Sequence, residues 1–221
     1  TLLNTPVQSI DYSTSKVKVV DNTGEIHEAD YVVVTVPLPV LRDGDIVFSP
    51  ALSADKTAAM QKIGMGVGMK IILKFSDRFW ASDTGSIYGA GPVPEYWYTS
   101  SGRGTSPVLT AFVMGEKAEQ LSALGNASVQ AVLADLDTMY GGAASGKFVD
   151  AHIMDWSKMP FIRGAYSFPV VGGGIVQRQK LAQSVSGKLF FAGEATHTEG
   201  HSATVHGAFE TAIRAVKEIV G

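Results

Sequence analysis

The hydrophobic and polar positions of the first 40 residues predict β-structure. Residues 17–20 have strand composition, and residues 21–24, Asp-Asn-Thr-Gly, have the composition of a tight turn. A nearly continuous β-branched run occupies residues 29–36. Such a run predicts a strand buried on both faces, as in a parallel sheet. Pro37 and Pro39 are expected to end it, because proline cannot donate to a strand ladder.

The middle of the chain combines helical and strand patterns. Ser53 is a predicted N-cap for a helix over residues 54–63. Strands are predicted at residues 70–75, 87–88, 95–98, 108–113 and 148–153, helices at 115–124 and 128–139, and a loop at 155–174. The helix over 128–139 carries an apolar stripe that predicts core packing, formed by Val129, Val132, Leu133, Leu136 and Met139.

The last 45 residues predict a helix, a buried strand and a second helix. The first helix is expected over residues 176–183, and the strand over 188–194 ends at a glycine. The final helix is expected over 204–220. Its apolar positions predict a single face toward the core, formed by Val205, Phe209, Ala212, Ile213, Val216 and Ile219.

Composition narrows the class of protein. The 221 residues carry a formal net charge of −3, which provides no basic field for nucleic acid. There is no cysteine, which excludes disulfides, thiolate metal sites and a cysteine nucleophile. No run of 18 apolar residues predicts a membrane span, and the N-terminal segment lacks the features of a signal peptide. We therefore expect a soluble protein, and no targeting signal identifies its compartment.

The glycine-rich stretch GMGVGMKIILKF, residues 64–75, invites comparison with phosphate-binding loops. Met69 stands where both the dinucleotide fingerprint and the P-loop require glycine. A strand follows where those motifs require a helix N-terminus. We therefore predict a flexible helix-to-strand turn that delivers Lys70 to a site, and no phosphate grip.

The C-terminal region contains the most informative motifs. Residues 191–197, FAGEATH, and residues 203–208, ATVHGA, resemble the C-terminal signature of the flavin-dependent amine oxidases. That group contains polyamine oxidases, monoamine oxidases and lysine-specific histone demethylases. The segments PVQSI, YVVVTVPLPVL, GMGVGMKIILKF and PFIRGAYSF follow in the family's order, so that the resemblance extends through nearly all 221 residues. Gly207 within the second motif predicts a close approach of another group to the helix backbone.

The resemblance implies FAD as the cofactor and a set of residues that contact it. Val7 would hold the adenine part through its backbone, and Gly193 and Glu194 would contact the pyrophosphate and ribitol. The remaining implied cofactor-binding residues are Thr35, Pro37, Trp156, Thr204 and Val205.

The resemblance also implies the catalytic residues. Lys70 would face flavin N5 through a water, and Trp156 would pack by the isoalloxazine. Tyr166 would form one wall of an aromatic cage. Thr204 stands where monoamine oxidases have the second tyrosine, a pattern similar to that of demethylases and polyamine oxidases.

The implied reaction is oxidation of a polyamine-like amine to an imine, with hydride transfer to the flavin and reoxidation by oxygen. Its partners are a small-molecule amine and oxygen, with no nucleic acid and no membrane span. The protein supplies positioning and water exclusion, and an apolar pocket favours the neutral, reactive amine.

The implied fold is α/β with α+β character. Residues 1–40 and 179–221 would belong to a Rossmann-like FAD-binding domain, the latter as its returning strand and helix. Residues 41–178 would form a substrate domain with a mixed sheet flanked by helices. The N-terminal glycine-rich fingerprint does not occur in these 221 residues. We therefore expect a partial protein that alone binds FAD weakly and is inactive.

Two alternative functions are kept open. An L-amino-acid oxidase would need an arginine for the substrate carboxylate, for which Arg163 is the candidate. A catalytically inactive module would associate through an exposed FAD-domain surface, as an oligomer.

Several other patterns have simpler structural interpretations. His197, Glu199 and His201 do not have the spacing of a metal motif, so no metal is predicted. Residues 96–98, Tyr-Trp-Tyr, predict a half-buried strand or a pocket wall. Asp135 and Asp137 are expected on a solvated helix face, and Trp80 in the core.

Overall fold

The computed structural model describes all 221 residues, which form two compact units. One unit combines residues 1–65 with residues 160–221, and the other comprises residues 66–159. We call them the discontinuous unit and the middle unit. The domain roles predicted for residues 1–40, 41–178 and 179–221 follow different boundaries and stay a prediction.

The secondary structure contains thirteen strands and seven α-helices. The strands are β1 (Val7–Asp11), β2 (Val17–Asp21), β3 (Ile26–Ala29), β4 (Val32–Val34), β5 (Val47–Ser49), β6 (Ile63–Met65), β7 (Gly68–Phe75), β8 (Ser86–Tyr88), β9 (Glu95–Tyr98), β10 (Val108–Met114), β11 (Phe148–Asp155), β12 (Ser167–Pro169) and β13 (Leu189–Phe191). The helices are α1 (Leu38–Arg42), α2 (Ala54–Met60), α3 (Gly115–Ala123), α4 (Ser128–Tyr140), α5 (Ala143–Lys147), α6 (Ile175–Ala182) and α7 (Val205–Val220).

The discontinuous unit contains a four-stranded mixed sheet in the order β3-β2-β1-β5. The pairs β1–β2 and β2–β3 are antiparallel, whereas β5 runs parallel to β1. The predicted turn at residues 21–24 joins β2 to β3, and the carboxylate of Asp21 accepts a hydrogen bond of 2.8 Å from the Thr23 N–H.

A second sheet pairs β4 with β13 in parallel, with Val32 opposite Leu189 and Val34 opposite Phe191. All three residues of β13 are buried, as the sequence predicts. The prediction that the 29–36 run is buried on both faces is wrong, because Val33 is 39% exposed. The sheet has only these two strands, and one face of β4 is left open.

The final helix forms where predicted, but the predicted core face is wrong. Val205, Phe209, Ile213 and Val216 are exposed. The buried positions are Gly207, Thr211 and Ala215, four residues apart. Small side chains on this face let α7 approach the β13 region closely, and Ala215 packs there with Phe190 and Ala192.

The glycine-rich stretch is mostly strand, which corrects the prediction of a flexible turn. Helix α2 ends at Met60, and Gly64 lies inside β6, which pairs with β12. A side chain at Gly64 would overlap the ring of Phe168 on β12. The predicted loop over 155–174 therefore contains a strand, and it also contains a 3-10 turn at Trp156–Lys158.

The middle unit is built on a five-stranded antiparallel sheet in the order β11-β7-β10-β9-β8. One face of β7 supplies Met69, Ile71, Leu73 and Phe75 to the core. Helix α4 covers that core with the predicted stripe, in which Val132, Leu133 and Leu136 are buried. Trp80 is also buried, as predicted.

The alternation of strand β9 separates its aromatic residues. Tyr96 and Tyr98 face the core, whereas Trp97 points to the opposite face of the sheet and is half-buried. Asp135 accepts a hydrogen bond of 2.6 Å from the Tyr96 hydroxyl, and Asp137 accepts one from the Ser145 N–H. The prediction of a solvated face is therefore wrong for Asp135, whose bond to Tyr96 is partly buried, whereas the hydrogen bonds of Asp137 lie at the surface as expected.

The chain thus has a mixed α/β fold with several sheets and flanking helices, which confirms the predicted fold class. None of its helices combines the length and apolar character that crossing a membrane requires.

Candidate functional site

The carboxyl ends of β4 and β13 bring together four predicted cofactor-binding residues. The two strands are parallel, so the residues that follow them emerge at the same edge of the sheet. Thr35 and Pro37 follow β4, and Gly193 and Glu194 follow β13. All four line one cavity of about 230 Å³. Crevices at the carboxyl ends of parallel strands are the usual ligand sites of such sheets.

A second cavity, of about 740 Å³, lies in the same unit. Val7 lines it, and Val36 and Pro37 line both cavities. The structure thereby brings Val7 to the same end of β4 as the other four predicted residues. The two adjoining cavities suit an extended ligand better than a compact one.

The backbone conformation at position 193 requires glycine. Its φ of 126° lies in a region that residues with a side chain rarely adopt, and open space lies where a Cβ would stand. The Gly193 N–H donates a hydrogen bond of 2.8 Å to the hydroxyl of Thr211 on α7. The strand end is thereby fixed to the helix, and the open side of the backbone is available to a ligand.

Glu194 connects three segments through its carboxylate. Oε1 accepts from the Ser167 N–H at 3.0 Å, and Oε2 accepts from the Ser167 hydroxyl at 2.7 Å and from the Ala203 N–H at 2.7 Å. The buried guanidinium of Arg178 donates to the Ser167 hydroxyl at 2.7 Å. Burial lowers the pKa of Arg178, and the charge of Glu194 opposes that shift.

Thr204 is the N-cap of α7. Its hydroxyl accepts from the Gly207 N–H at 3.0 Å and donates to the carbonyl oxygen of His201 at 2.6 Å. The group that approaches the Gly207 backbone is that same carbonyl, which a Cβ at Gly207 would overlap. Val205 is 89% exposed, and Tyr166, which adjoins Ser167, is exposed at the start of β12.

Lys70 and Trp156 come together in the middle unit. The Nζ atom of Lys70 lies 5.6 Å from the centre of a Trp156 ring. Lys70 projects from the face of β7 opposite to the core, and Trp156 begins the 3-10 turn that follows β11. Two further rings lie near this ammonium group, those of Trp97 and Phe112. A pocket wall is one of the two predictions for residues 96–98, but the sequence pattern connects neither ring with Lys70. The alternation of β9 is the signal that could have identified Trp97.

The histidines near the C-terminus form a hydrogen-bonded cluster with Glu210. The buried His197 accepts at Nδ1 from the N–H groups of Glu199 and His201, both at 3.1 Å. Its Nε2 therefore carries the proton and donates to Glu210 at 2.7 Å. His201 Nδ1 lies 2.9 Å from the same carboxylate oxygen. Because a metal would need a deprotonated Nε2, this arrangement suits a structural role for His197.

Arg163 is paired with acidic side chains. Its guanidinium lies 2.8 Å from Asp45 and 3.3 Å from Asp43. The hydrogen bond that Arg163 donates to the Asp45 carboxylate is the main cause that raises the pKa of Arg163. This arginine is therefore already neutralised within the protein.

Comparison with known proteins identifies the family. The model of the flavin containing amine oxidoreductases matches residues 1–220. The chain belongs to this family. The sequence resemblance is thereby confirmed, and with it a flavin, FAD, as the cofactor of the family.

Relatives and solved structures of this amine oxidoreductase chain fall into two groups. It is 33% identical to human lysine-specific histone demethylase 2 over 98% of the chain and 28% of the relative. It is 34% identical to lysine-specific histone demethylase 1 homolog 1 of Arabidopsis thaliana over 97% of the chain and 26% of the relative. A double mutant of putrescine oxidase matches in fold with a TM-score of 0.87 at 24% identity. That match covers 99% of the chain and 49% of the putrescine oxidase chain.

The amine oxidoreductase chain therefore spans between a quarter and a third of the length of these demethylases, and about half that of putrescine oxidase. Its own residues fit a flavin nucleotide. The open space beside the Gly193 backbone and the two adjoining cavities with their shared wall leave room for a long ligand of this kind.

Proposed function

We propose that the whole protein is an oxidase that removes two electrons from an amine with the help of FAD. The observation that carries the proposal is the cavity at the carboxyl ends of β4 and β13, lined by Thr35, Pro37, Gly193 and Glu194. A second support is the contact between Lys70 and Trp156, the pair that the family resemblance assigns to the reaction centre. When bound, the flavin accepts a hydride equivalent from the amine and returns the electrons to oxygen.

The residues of the chain contribute binding, orientation and proton control. Val7, Pro37 and Gly193 would bind the cofactor through backbone groups and shape. The Lys70 ammonium group would hold a water and supply positive charge where oxygen is reduced. The aromatic rings around it would exclude bulk water and favour the neutral amine, which is the reactive form.

For the substrate, two observations favour different candidates. We propose a polyamine-like amine, as the sequence resemblance implies. The likeness to putrescine oxidase is a likeness of fold alone. The relatives that match above 30% identity are named lysine-specific histone demethylases. An N-methylated lysine side chain is therefore the second candidate substrate.

The L-amino-acid oxidase alternative finds no support in the structure. Such an enzyme needs a free arginine for the substrate carboxylate. Arg163 forms ion pairs with Asp43 and Asp45, so that a carboxylate substrate would have to displace both. The negative charges of Asp43 and Asp45 would also repel a substrate carboxylate, which argues against this role.

Anaerobic reduction of the flavin tests the function directly. The full-length protein, loaded with FAD, would be mixed with spermine, with a peptide containing dimethyl-lysine, and with an L-amino acid. We expect loss of the oxidised flavin absorbance with spermine. Bleaching only by the peptide would select the second candidate, and no bleaching by any amine would reject the proposed activity.

The isolated 221 residues are proposed to bind FAD weakly and to lack activity. Titration of the purified chain with FAD, followed by flavin fluorescence, measures this. The non-enzymatic alternative, association through an exposed surface, has a physical basis in Val205, Phe209, Val216 and Val220 on α7. Light scattering of the same sample would show an oligomer if that alternative holds.

A further inference from the structure

Three aromatic rings surround the ammonium group of Lys70 in the middle unit. The Nζ atom lies 5.0 Å from the ring centre of Trp97, 5.7 Å from that of Phe112 and 5.6 Å from that of Trp156. All three distances fall within the range of about 6 Å in which a cation is attracted by an aromatic face. The three rings belong to three different segments of the unit, namely β9, β10 and the turn after β11.

The strand register explains why these side chains meet. Phe112 on β10 lies directly opposite Lys70 on β7. Trp97 lies on the adjacent β9 and stacks on Phe112, with ring centres 4.6 Å apart and planes inclined by 23°. The stacked pair forms a rigid wall, because each ring limits the rotation of the other.

Within the middle unit, the ammonium group of Lys70 interacts with the three aromatic rings and with no polar partner. No carboxylate of residues 66–159 forms a salt bridge with Lys70, and its Nζ atom donates no hydrogen bond there. A lysine side chain has four rotatable bonds, and holding it in one orientation costs conformational entropy. Without the rings, therefore, nothing in this unit would hold Lys70 in one orientation.

We propose that Trp97 and Phe112 are positioning residues that hold the ammonium group of Lys70 through cation–π contacts. The inference deepens the proposed function and rests on it, since the orientation of Lys70 matters for catalysis only if Lys70 serves the flavin reaction. The geometric part concerns Lys70 alone. It needs neither bound FAD nor turnover to be tested.

Lysine methyl NMR tests the geometry. Reductive ¹³C-methylation labels every lysine and keeps its positive charge, and the K70R variant assigns the Lys70 signal by its loss. We expect the Lys70 N-methyl protons to resonate upfield of those of exposed lysines, because aromatic faces shield them. The shift should shrink in F112L and largely disappear in W97L.

Matched variants separate positioning from folding. W97F keeps an aromatic face and should restore most of the upfield shift. Y88L, which removes an exposed ring from the neighbouring strand β8, should leave it unchanged. If W97L is poorly folded by circular dichroism, F112L and W97F decide the question. A Lys70 signal at the position of exposed lysines in the wild type, or one that W97L and F112L do not move, overturns the proposal.

Turnover supplies the functional half of the test. In the FAD-loaded full-length protein, W97L should slow flavin reoxidation by oxygen severalfold, with W97F close to wild type. A protein that oxidises no amine, yet shows the shielded Lys70 signal, would reject the proposed function and leave the positioning geometry standing. An unshielded Lys70 signal in an active oxidase would reject the positioning role of the rings and leave the proposed function standing.

Discussion

Glu194 holds Ser167 by two hydrogen bonds, one from the backbone N–H at 3.0 Å and one from the hydroxyl at 2.7 Å. The same carboxylate accepts the N–H of Ala203, whose φ of 64° is unusual for a residue other than glycine. One side chain thus fixes the start of β12 and the strained residue before the N-cap of α7. Both segments carry residues that the family resemblance assigns to the site, Tyr166 and Thr204.

Replacing Glu194 by glutamine should destabilise the protein by about 1–3 kcal/mol. The new side-chain NH2 group is a donor, and it would face an N–H or O–H donor that now needs an acceptor. Urea unfolding measures the loss, and hydrogen exchange should show faster exchange in the segment around Ala203. E199Q is the matched control, since Glu199 is exposed in the same loop and its side chain makes no hydrogen bond. Equal stability of the two variants would contradict the role assigned to Glu194.

Replacing Lys70 by methionine should slow flavin reoxidation by about tenfold or more in the FAD-loaded full-length protein. Methionine keeps the apolar stem among the rings but removes the charge and the proton donors. Stopped-flow mixing with oxygen measures reoxidation separately from anaerobic reduction by the amine. K74M is the control, because Lys74 projects from the same face of β7 and is exposed. Unchanged reoxidation in K70M would argue against a catalytic role for this lysine.

Lys56 should be a strong determinant of stability, although it is a charged residue. It is buried, and its Nζ donates to the carbonyl oxygens of Lys180, Leu181 and Gln183 at 2.7–3.0 Å. It also lies 4.0 Å from the ring centre of Phe191. K56M leaves three carbonyl groups at the end of α6 without this donor. It should lower the free energy of unfolding by about 2–4 kcal/mol. K62M, at an exposed position, should cost far less.

The pH dependence gives Lys56 a second signature. Burial lowers the pKa of Lys56 from 10.5 to about 8. Between those values the unfolded chain holds a proton that the folded protein has released, so this group makes stability rise with pH over that window. In K56M this contribution is absent. Between pH 7.5 and pH 10, the urea midpoint of the wild type should therefore rise relative to that of K56M.

Replacing Glu210 by glutamine should lower the melting temperature at neutral pH. The hydrogen bond from His201 is the main cause that holds the pKa of Glu210 below 4.5, with His197 adding to it. A lowered carboxylate pKa stabilises the folded state above 4.5, and this contribution is lost as acidification protonates the group. The difference in melting temperature between E210Q and wild type should therefore be present at pH 7 and shrink below pH 4.5. E119Q, at an exposed helical site, should show no such pattern.

Local patterns predicted the elements that depend on one segment alone. The stripe on α4 and the buried β13 follow from spacing and composition, and both occur where expected. The buried face of α7 was not predictable in this way. Its contacts are made by Gly207, Thr211 and Ala215, whose small size permits close approach but adds little to an apolar pattern.

The remaining misses depend on contacts between distant segments. The pairing of β6 with β12 joins two three-residue strands, too short for a periodic signal. The burial of Lys56 depends on carbonyl groups more than a hundred positions away. Likewise, Trp97 and Phe112 meet Lys70 only through the sheet register, which sequence spacing does not specify.

The parallel pairing of β4 with β13 also sets an order for biosynthesis. Every residue of the middle unit has been translated by Met159, whereas β4 must wait for residues 189–191 to emerge from the ribosome. Domains fold as units during synthesis, and contacts distant in sequence form late. The middle unit is therefore expected to fold first, with the apolar β4 held in an unpaired state. Nascent chains arrested before β13 would then be natural clients for chaperones that bind extended apolar segments.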